Sequence, residues 1–436
     1  EAIGGSFRDP CNRVYTVADA SMSSGVRVLR GVDATTKANF EKLASQEFYN
    51  VLLNEGHLVQ SWLVDDPEDT PARDIMSMHN WTGVLEHEAI PVVTYPYEWT
   101  FGMLRMAALL HLRVLSDALA SGWTVKDSTP FNIQFLGTRP VFIDIPSFVP
   151  WEDGEPWLGY RQFCACFLTP LLMRAHLGVD HLSIMRAFLD GIPPTEAIKY
   201  FSGLNRFKKG VMSHIMLPAR VENRILAAER DDVPAKNRVA RTQNRSTVIA
   251  LVDSMSRLIR SLSIKIDHTD WSEYDQTHTY DDTEHTAKKS FVQHVVQEAK
   301  PYLIWDIGCN TGTFSRLSTE HATHVVAVDS DHNAIEKLFH AERKAHNDGN
   351  LLPLVLNLAN PSPDQGWAGN ERHSFGKRVK PNMVLVLALI HHIRISSNIP
   401  LDLFLAWLRQ LDSEVVIEFV NREDEMVIKL LTNKKE

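Results

Sequence analysis

The sequence predicts an α/β protein in which a doubly wound parallel sheet forms the C-terminal part and a smaller α+β domain precedes it. Two observations support this prediction. The last third of the chain alternates short apolar runs rich in branched residues with amphipathic stretches, as expected for a parallel sheet covered by helices on both faces. A chain of 436 residues is also too long for one compact core, so two or three domains are expected.

The composition is that of an ordinary globular protein. A net charge of -9 and a pI near 6.1 argue against nucleic acid as a partner. No apolar run approaches the roughly 20 residues of a membrane helix, and the N-terminus does not resemble a signal peptide. We therefore expect a soluble, cytoplasmic protein with no membrane partner. Four cysteines provide neither a disulfide framework nor a structural zinc site: Cys11, Cys164, Cys166 and Cys309.

The first hundred residues predict a small α+β lobe. Strand-like runs occupy 26–32 (VRVLRGV) and 90–99 (IPVVTYPYEW), and a helix is predicted over 38–56. Its apolar residues Phe40, Leu43, Phe48 and Val51 recur at roughly helical spacing. Because the chain starts at Glu1 and not at methionine, we expect the numbering to begin inside a longer gene product.

The next segment predicts the centre of a first domain, residues 1–228. The run 100–122 is apolar on most faces and ends in glycine, which indicates a largely buried helix. A loop and two short strands around the turn LGTRP (136–140) are predicted next, and residues 157–228 are mostly helical.

A linker is predicted at 229–245, where ERDDVPAKNRVARTQNR is charged and nearly free of large apolar residues. The second domain, 246–436, begins with a helix around 246–262 and an aromatic, acid-rich segment, HTDWSEYDQTHTYDD. Five strands are then predicted, in the runs YLIWDIG, HVVAVD, LLPLVLN, NMVLVLAL and EVVIEFV.

The turn after the first of these strands, in WDIGCNTGTFSRL (305–317), is where an open parallel sheet binds its ligand. Gly308 and Gly312 permit close backbone approach, and the following helix offers unpaired N–H groups. About twenty residues on, Asp329 ends the next strand, where a carboxylate can accept both hydroxyls of a ribose. A glycine-rich turn alone could be merely structural, but the pair favours a nucleotide-like cofactor.

The spacing D-x-G-x-N-x-G lacks the G-x-G-x-x-G of dinucleotide sites and resembles the first motif of class I S-adenosylmethionine-dependent methyltransferases. The resemblance implies a Rossmann-like domain that binds S-adenosylmethionine. It places Asp306 and the two glycines at the methionine end, Asp329 at the ribose and Asn357 at the adenine. Asn310 and Asn357 stand where many members have glycine and aspartate. The implied cofactor-binding set is Asp306, Gly308, Cys309, Asn310, Gly312, Asp329, Ser330, Asn357 and Leu358.

The fourth strand runs into His391 and His392, where this fold presents groups to the acceptor. One of them could orient the acceptor or accept its proton, since an unperturbed imidazole has a pKa near 6.5. Alternatively, both cap the strand and pack beneath the next helix. The segment WSEYDQTHTY (271–280) is expected either to form a lid over the cofactor or to pack between the domains.

The first half contains a second motif: Asp127, then Asn132, then Asp144 at the end of a strand. It resembles the catalytic loop and metal-binding aspartate of protein kinases and aminoglycoside phosphotransferases. The resemblance implies that Asp127 orients an acceptor hydroxyl while Asn132 and Asp144 hold magnesium on ATP. No glycine-rich phosphate loop is visible near residues 5–15, and Arg30 at best replaces the lysine. Alternatively, Asp127 and Asn132 merely cap turns.

The order of these segments over nearly the full length resembles a family of bacterial two-part class I methyltransferases. It implies methyl transfer from S-adenosylmethionine to an unidentified acceptor, with a small molecule favoured. Two alternatives stay open: a bifunctional enzyme whose first half binds ATP and magnesium and phosphorylates a small molecule, and a non-catalytic cofactor-binding module. Class I methyltransferases usually continue beyond the fifth strand, so we expect the sheet to be incomplete at its C-terminal end.

Overall fold

The structure, a computed structural model, confirms the predicted fold class. The second half is built on a five-stranded parallel sheet covered by helices, and the first half is a mixed α+β unit. The predicted linker up to residue 243 and the segment 271–280 lie outside the described residues. No helix in the described part is long and apolar enough to cross a membrane. The described residues are 2–22, 24–220, 244–265, 282–345 and 349–432.

The first half opens with a four-stranded antiparallel sheet of order β1-β2-β4-β3. Helices α1 and α2 connect β2 to β3, and α3 connects β3 to β4. The strand predicted at 26–32 is confirmed as β2. The bounds are β1 (Asn12–Ala18), β2 (Val26–Val32), α1 (Ala34–Ala44), α2 (Glu47–Asn54), β3 (Ser61–Leu63), α3 (Thr70–His79) and β4 (Gly83–His87).

Two local predictions in this lobe are wrong. The helix expected over 38–56 divides into α1 and α2 at Ser45, whose hydroxyl donates to the carbonyl of Lys42. Val51 is 40% exposed. Residues 90–99 do not form a strand and end in a short 3-10 helix, Pro96–Glu98. The prolines of this segment explain the second error, because proline has no backbone N–H to donate to a sheet.

A long buried helix, α4 (Phe101–Ala120), forms the centre of the first half, as the run 100–122 predicts. The side chain of Thr100 caps it by accepting from the amide of Met103. The two strands predicted around the LGTRP turn are confirmed as a hairpin. In chain order, β5 is Trp123–Val125, β6 is Ile133–Leu136, β7 is Arg139–Phe142 and β8 is Phe148–Pro150.

Short helices make up most of the chain from 160 to 220, as predicted. A further helix, α9 (Arg245–Arg260), begins at the end of the predicted linker and packs with its apolar side in the same core as α4. The domain boundary at 229–245 stays a prediction. The short helices are α5 (Tyr160–Phe163), α6 (Thr169–Leu177), α7 (His181–Ala187) and α8 (Pro194–Ala197), with π-helical turns at Cys164–Leu168 and Met212–Met216.

All five strands predicted for the second half are present in one parallel sheet of order β11-β10-β9-β12-β13. This is the 3-2-1-4-5 order of a doubly wound sheet, which binds ligands at the carboxyl ends of its strands. The inner three strands are almost entirely buried. The bounds are β9 (Leu303–Ile307), β10 (His324–Asp329), β11 (Leu351–Val355), β12 (Met383–Val386) and β13 (Glu414–Ile417).

Among the residues that the structure describes, six helices accompany this sheet, and the turns after its strands lie at the carboxyl edge of the sheet. They are α10 (Asp282–Ala299), α11 (Thr313–Ser318), α12 (His332–Lys344), α13 (Phe375–Arg378), α14 (Leu401–Gln410) and α15 (Glu425–Leu431).

The two halves share one continuous hydrophobic core. Its buried members include Trp99 and Phe101 of the first half and Phe339, Leu354 and Phe375 of the second. Apolar burial on this scale holds the halves together, because each buried aromatic side chain contributes about 1.5–3 kcal/mol relative to an exposed one.

Candidate cofactor site and the cleft of the first half

The turn between β9 and α11 has a backbone that favours glycine. Gly308 has a φ of 78° and Gly312 a φ of 84°, and Asn310 between them has a φ of 51°. A Cβ on Gly312 would lie 2.6 Å from Leu338 of α12. The glycine at 312 is therefore required by the packing of α12 against the turn. Because its glycines have no side chain, the turn also permits close approach of a ligand to the backbone.

Asp329 at the end of β10 is attached to this turn. Its Oδ2 accepts from the amide of Asn310 at 2.9 Å, and its Oδ1 accepts from the amide of Asp331 at 2.9 Å. Burial raises the pKa of the Asp329 carboxyl, while these amide donors act in the opposite direction. A carboxylate has about four acceptor positions, so it can still accept ribose hydroxyls. The structure thus brings Asp329 and Asn310 together.

Asp306 lies beneath the turn and is only 2% exposed. Its Oδ2 accepts from the hydroxyl of Ser315 on α11 at 2.5 Å. Burial raises the pKa of Asp306 to about 6, and the nearby Asp329 charge acts in the same direction. Ser315 escaped the sequence analysis, since only its position one helical turn into α11 could have suggested it. Cys309 is also buried, which raises its thiol pKa well above the ordinary value.

The remaining predicted cofactor residues lie at the same edge of the sheet. Ser330 follows β10 and is exposed. Asn357 follows β11, is exposed, and its side-chain oxygen accepts from the amide of Ala359 at 2.9 Å. Leu358 beside it is half-buried. The side-chain oxygen of Asn357 is thus fixed by a hydrogen bond. Its side-chain NH₂ group has no acceptor among the described residues.

His391 and His392 follow β12 and begin a π-helical turn, His392–Ser396. Their rings are 4.1 Å apart between centroids. His391 is 6% exposed, and neither of its ring nitrogens has a hydrogen-bond partner among the described residues. Burial lowers the pKa of both histidines, that of His392 to about 4, where the neighbouring His391 acts in the same direction. Both rings are therefore neutral at pH 7 and retain a lone pair.

A half-buried ion pair that sequence reasoning missed lies near the two histidines. Lys288 of α10 contacts Glu418 at 2.6 Å, and the same carboxylate oxygen accepts from the amide of Ala388 at 2.6 Å. The Lys288 ammonium also lies 4.9 Å from the ring centre of Phe314. The pair fixes the backbone after β12, the segment that carries His391.

The arrangement fits S-adenosylmethionine. Three residues of the turn have a left-handed backbone, a carboxylate for hydroxyl groups is hydrogen bonded to the turn, and an exposed amide side chain follows the next strand. The carboxyl groups of Asp306 and Asp329 lie at the turn, which suits a cofactor with a positively charged sulfonium.

In the first half, the three kinase-like residues meet only in part. Asn132 donates to Asp144 Oδ2 at 3.3 Å. The other oxygen of Asp144 accepts from Arg30 of β2 at 2.8 Å, and Arg30 also donates to Asn12 at 3.0 Å. The carboxylate that the resemblance assigns to magnesium is thus paired with a buried guanidinium.

Asp127 lies close enough to Asp144 for their charges to interact. Burial raises the pKa of Asp127, and the charges of Asp144 and Asp9 act in the same direction. Lys126 lies 3.6 Å from Asp9. A kinase-like site would pair its basic strand residue with a helix glutamate, for which the sequence offers Glu47. Glu47 is exposed on α2, and the ion pair with Arg30 is made by Asp144 instead.

Several segments of the first half, among them the loop of the kinase-like motif, contact the second half. The segment between β11 and β12, residues 356–382, is here called the crossover segment. Glu371 forms a two-hydrogen-bond ion pair with Arg8, at 2.8 and 2.9 Å, and Arg372 lies 4.2 Å from the ring centre of Phe131. Asn370 and the N-terminal segment are in backbone contact, since a Cβ on Gly4 would lie 1.7 Å from the Asn370 carbonyl oxygen.

The crossover segment also contacts the residues that lead into α4. The side chains of Arg378 and Glu98 are 3% and 2% exposed and are hydrogen bonded at 2.9 Å. Arg378 donates to the Val93 carbonyl at 2.7 Å, and Ser362 donates to Glu98 at 3.1 Å. The amide of His373 donates to the Tyr95 hydroxyl at 3.1 Å.

The N-terminus of α4 is capped from the second half. The amide of Phe101 donates to Nε2 of His332 at 3.2 Å, and the amide of Gly102 donates to both carboxylate oxygens of Glu336 at 3.0 Å. His332 and Glu336 lie four residues apart on α12 and therefore face the same way. A helix N-terminus leaves amides without acceptors, and this one is satisfied across the two halves.

A cluster of Asp180, His181 and His332 has ligand-type atoms within 4.8 Å of one another. Nε2 of His332 accepts from Phe101, so the neutral ring carries its proton on Nδ1 and has no free lone pair for a metal. His181 is fully buried, and neither of its ring nitrogens has a partner among the described residues. The cluster is therefore a contact between α7 and α12 in this structure.

Comparison with known proteins places the chain in a family. No family model matches it. Nodulation protein NoeA of Rhizobium meliloti (strain 1021) is 34% identical over all 436 residues, which cover 88% of that protein. The chain belongs to the NoeA family. Identity at this level over the full chain extends the family assignment to both halves.

Solved structures similar to this NoeA-family chain match only part of it. The bifunctional kinase-methyltransferase WbdD is 18% identical over 35% of this chain and 32% of its own, with a TM-score of 0.27. N-methyltransferase NodS from Bradyrhizobium japonicum WM9 is 10% identical over 35% of this chain and 83% of its own, with a TM-score of 0.25. These TM-scores are too low to support an inference. The assignment of a methyltransferase-like fold depends instead on the order of the strands in the sheet.

Proposed function

We propose that this chain transfers a methyl group from S-adenosylmethionine to a small-molecule acceptor. The observation that carries the proposal is the 2.9 Å hydrogen bond between the Asn310 amide and Asp329, which joins the glycine turn to the acid at the end of β10. A backbone cradle and a carboxylate for ribose hydroxyls thus form one unit at the carboxyl edge of the sheet.

The residues have distinct tasks in this proposal. The turn from Gly308 to Gly312 contacts the methionine end, Asp329 accepts from the ribose, and Asn357 contacts the adenine. When bound, S-adenosylmethionine supplies an activated methyl group on its sulfonium. The chain then has mainly to hold the acceptor in line with that methyl group and to exclude water.

His391 is the group we propose to receive the acceptor's proton. It is held after β12 by the Lys288–Glu418 pair and the Ala388 amide, and it is neutral at pH 7 because burial lowers its pKa. His392 beside it keeps a low pKa of about 4, so protonation of both rings together is disfavoured. A role in capping the strand is the alternative for His392.

Calorimetric titration of S-adenosylmethionine tests the cofactor site. We expect the wild-type chain to bind it and Asp329→Ala to bind it at least tenfold more weakly, which corresponds to about 1.4 kcal/mol. Asp402→Ala, an exposed acid in the first turn of α14, is the matched control and should leave the affinity unchanged. No heat with the wild type, or undiminished affinity in Asp329→Ala, would contradict the proposal.

Turnover separates an enzyme from a binding module. A methyl-labelled cofactor incubated with a pool of small molecules should give a labelled product, and His391→Asn should lower the rate without weakening cofactor binding. Affinity without turnover on any acceptor pool would favour the non-catalytic module. The relative is a nodulation protein, and we propose that the acceptor of this chain serves the same process.

A further inference from the structure

We infer that the first half does not bind magnesium and ATP, and that it instead holds the crossover segment so that the adenine end of the cofactor site is ordered. The second part of this inference rests on the proposed function. Three sets of contacts support it: the charge pairing at Asp144, the contacts of the crossover segment around the kinase-like motif, and the anchoring of the segment that begins beside Asn357.

The charge pairing opposes a metal at this position. In a kinase the strand-end aspartate and the loop asparagine coordinate magnesium. Here one oxygen of Asp144 accepts from Arg30 at 2.8 Å and the other from Asn132 at 3.3 Å. Arg30 is itself only 8% exposed and is held by Asn12. A magnesium ion at this place would lie beside a buried guanidinium, whose positive charge already balances the Asp144 carboxylate.

The crossover segment covers the elements around the kinase-like motif. Its residues contact the N-terminal segment through Arg8, the chain before α4 through Tyr95, and the predicted catalytic loop through Phe131. One of these elements, the loop with Phe131, lies between Asp127 and Asn132 of the kinase-like motif. The aromatic face of Phe131 is covered by the guanidinium of Arg372 at 4.2 Å.

The same contacts fix the start of the crossover segment, where the predicted adenine residues lie. Ser362, five residues beyond Asn357, donates to the buried Glu98. Gln365 donates to the carbonyl of Arg186 on α7 at 2.8 Å. Glu98 also holds Arg378 at the far end of the segment, so one buried carboxylate ties both ends of the segment to the first half.

The order of Asn357 and Leu358 therefore depends on side chains of the first half. A free loop would lose conformational entropy on binding the cofactor, whereas a loop that is already held loses less. Glu98 acts in this inference as a positioning residue, since it touches the loop and not the cofactor.

Two measurements on the full chain test the inference. Titration of magnesium-ATP by calorimetry should give no heat. Titration of S-adenosylmethionine should show at least a tenfold loss of affinity in Glu98→Gln, while Lys377→Met, which breaks an exposed ion pair in the same segment, should bind normally. Magnesium-ATP heat that disappears in Asp144→Ala, or unchanged affinity in Glu98→Gln, would overturn it.

Hydrogen exchange keeps the inference separate from the proposed function. Backbone amides of residues 356–366 should exchange at least tenfold faster in Glu98→Gln than in the wild type, with or without cofactor. If Glu98→Gln does not fold, Ser362→Ala removes a single hydroxyl donor and should give a smaller change of the same sign. Unchanged exchange in a folded variant would refute the anchoring, whereas a wild type that binds no S-adenosylmethionine would refute only the proposed function.

Discussion

Acidification should weaken the protein through His181 at the contact between α7 and α12. His181 is fully buried, and burial lowers its pKa to about 3, with the charge of His332 acting in the same direction. The ordinary pKa of the unfolded side chain is 6.5. Between these values the unfolded chain binds one proton more than the folded chain, so stability is full above pH 6.5 and falls as the pH declines toward 3.

The size of the effect follows from the two pKa values. From the ordinary pKa of 6.5 down to pH 5 is about 1.5 pH units, and protonation of the unfolded histidine stabilises the unfolded chain by about 1.36 kcal/mol for each of them. The folded histidine stays almost unprotonated over this range. Titration of His181 alone should therefore remove about 2 kcal/mol of stability over this range. Asp180, Glu336 and Asp331 face the His181–His332 pair and favour protonation, while Arg174 opposes it.

Urea unfolding followed by tryptophan fluorescence at pH 7, 6 and 5 measures this loss. His181→Leu cannot titrate, so its stability should fall by about 2 kcal/mol less than that of the wild type between pH 7 and pH 5. His294→Gln, on α10 with a side chain 66% exposed, is the matched control and should follow the wild type. Parallel pH dependence in the wild type and His181→Leu would refute the reasoning.

Two further predictions concern the glycine turn. Gly312→Ala places a Cβ 2.6 Å from Leu338 in a left-handed residue, so we expect a loss of about 1–3 kcal/mol in the free energy of unfolding, measured by urea titration. An unchanged midpoint would contradict it. Ser315→Ala removes the donor to buried Asp306 and should raise that carboxyl's pKa further above about 6, so the variant should be least stable relative to wild type above pH 6 and recover at lower pH. A penalty independent of pH would argue against this role for Ser315.

The sequence predicts the second half well because its signals are local. Each strand is an apolar run, and the glycines of the turn carry the left-handed backbone that the structure shows at Gly308 and Gly312. Asp329 could be assigned to the turn because the order of strands in a doubly wound sheet is regular.

The contacts between the halves could not be predicted in this way. Glu98 and Arg378 lie 280 residues apart, and a single sequence offers no periodicity that relates them. A hint existed in YPYEW, where a lone acid among aromatic residues predicts a buried carboxylate that needs a partner. The sequence shows Arg30 where the kinase resemblance expects a lysine. Its pairing with Asp144 follows only from the packing of β2 against the loop after β7.

The cap on α4 bears on how the chain is made. The helix is the centre of the first half, yet the acceptors of its first two amides are His332 and Glu336, and Glu336 lies 234 residues beyond Gly102 in the chain. At about 5–20 residues per second, the ribosome supplies that acceptor roughly 10–50 s after the helix itself. Until then the apolar helix has an open end and an incompletely covered face. Synthesis of this protein should therefore depend on chaperones for that interval, and expression of residues 1–228 alone should give a product that aggregates.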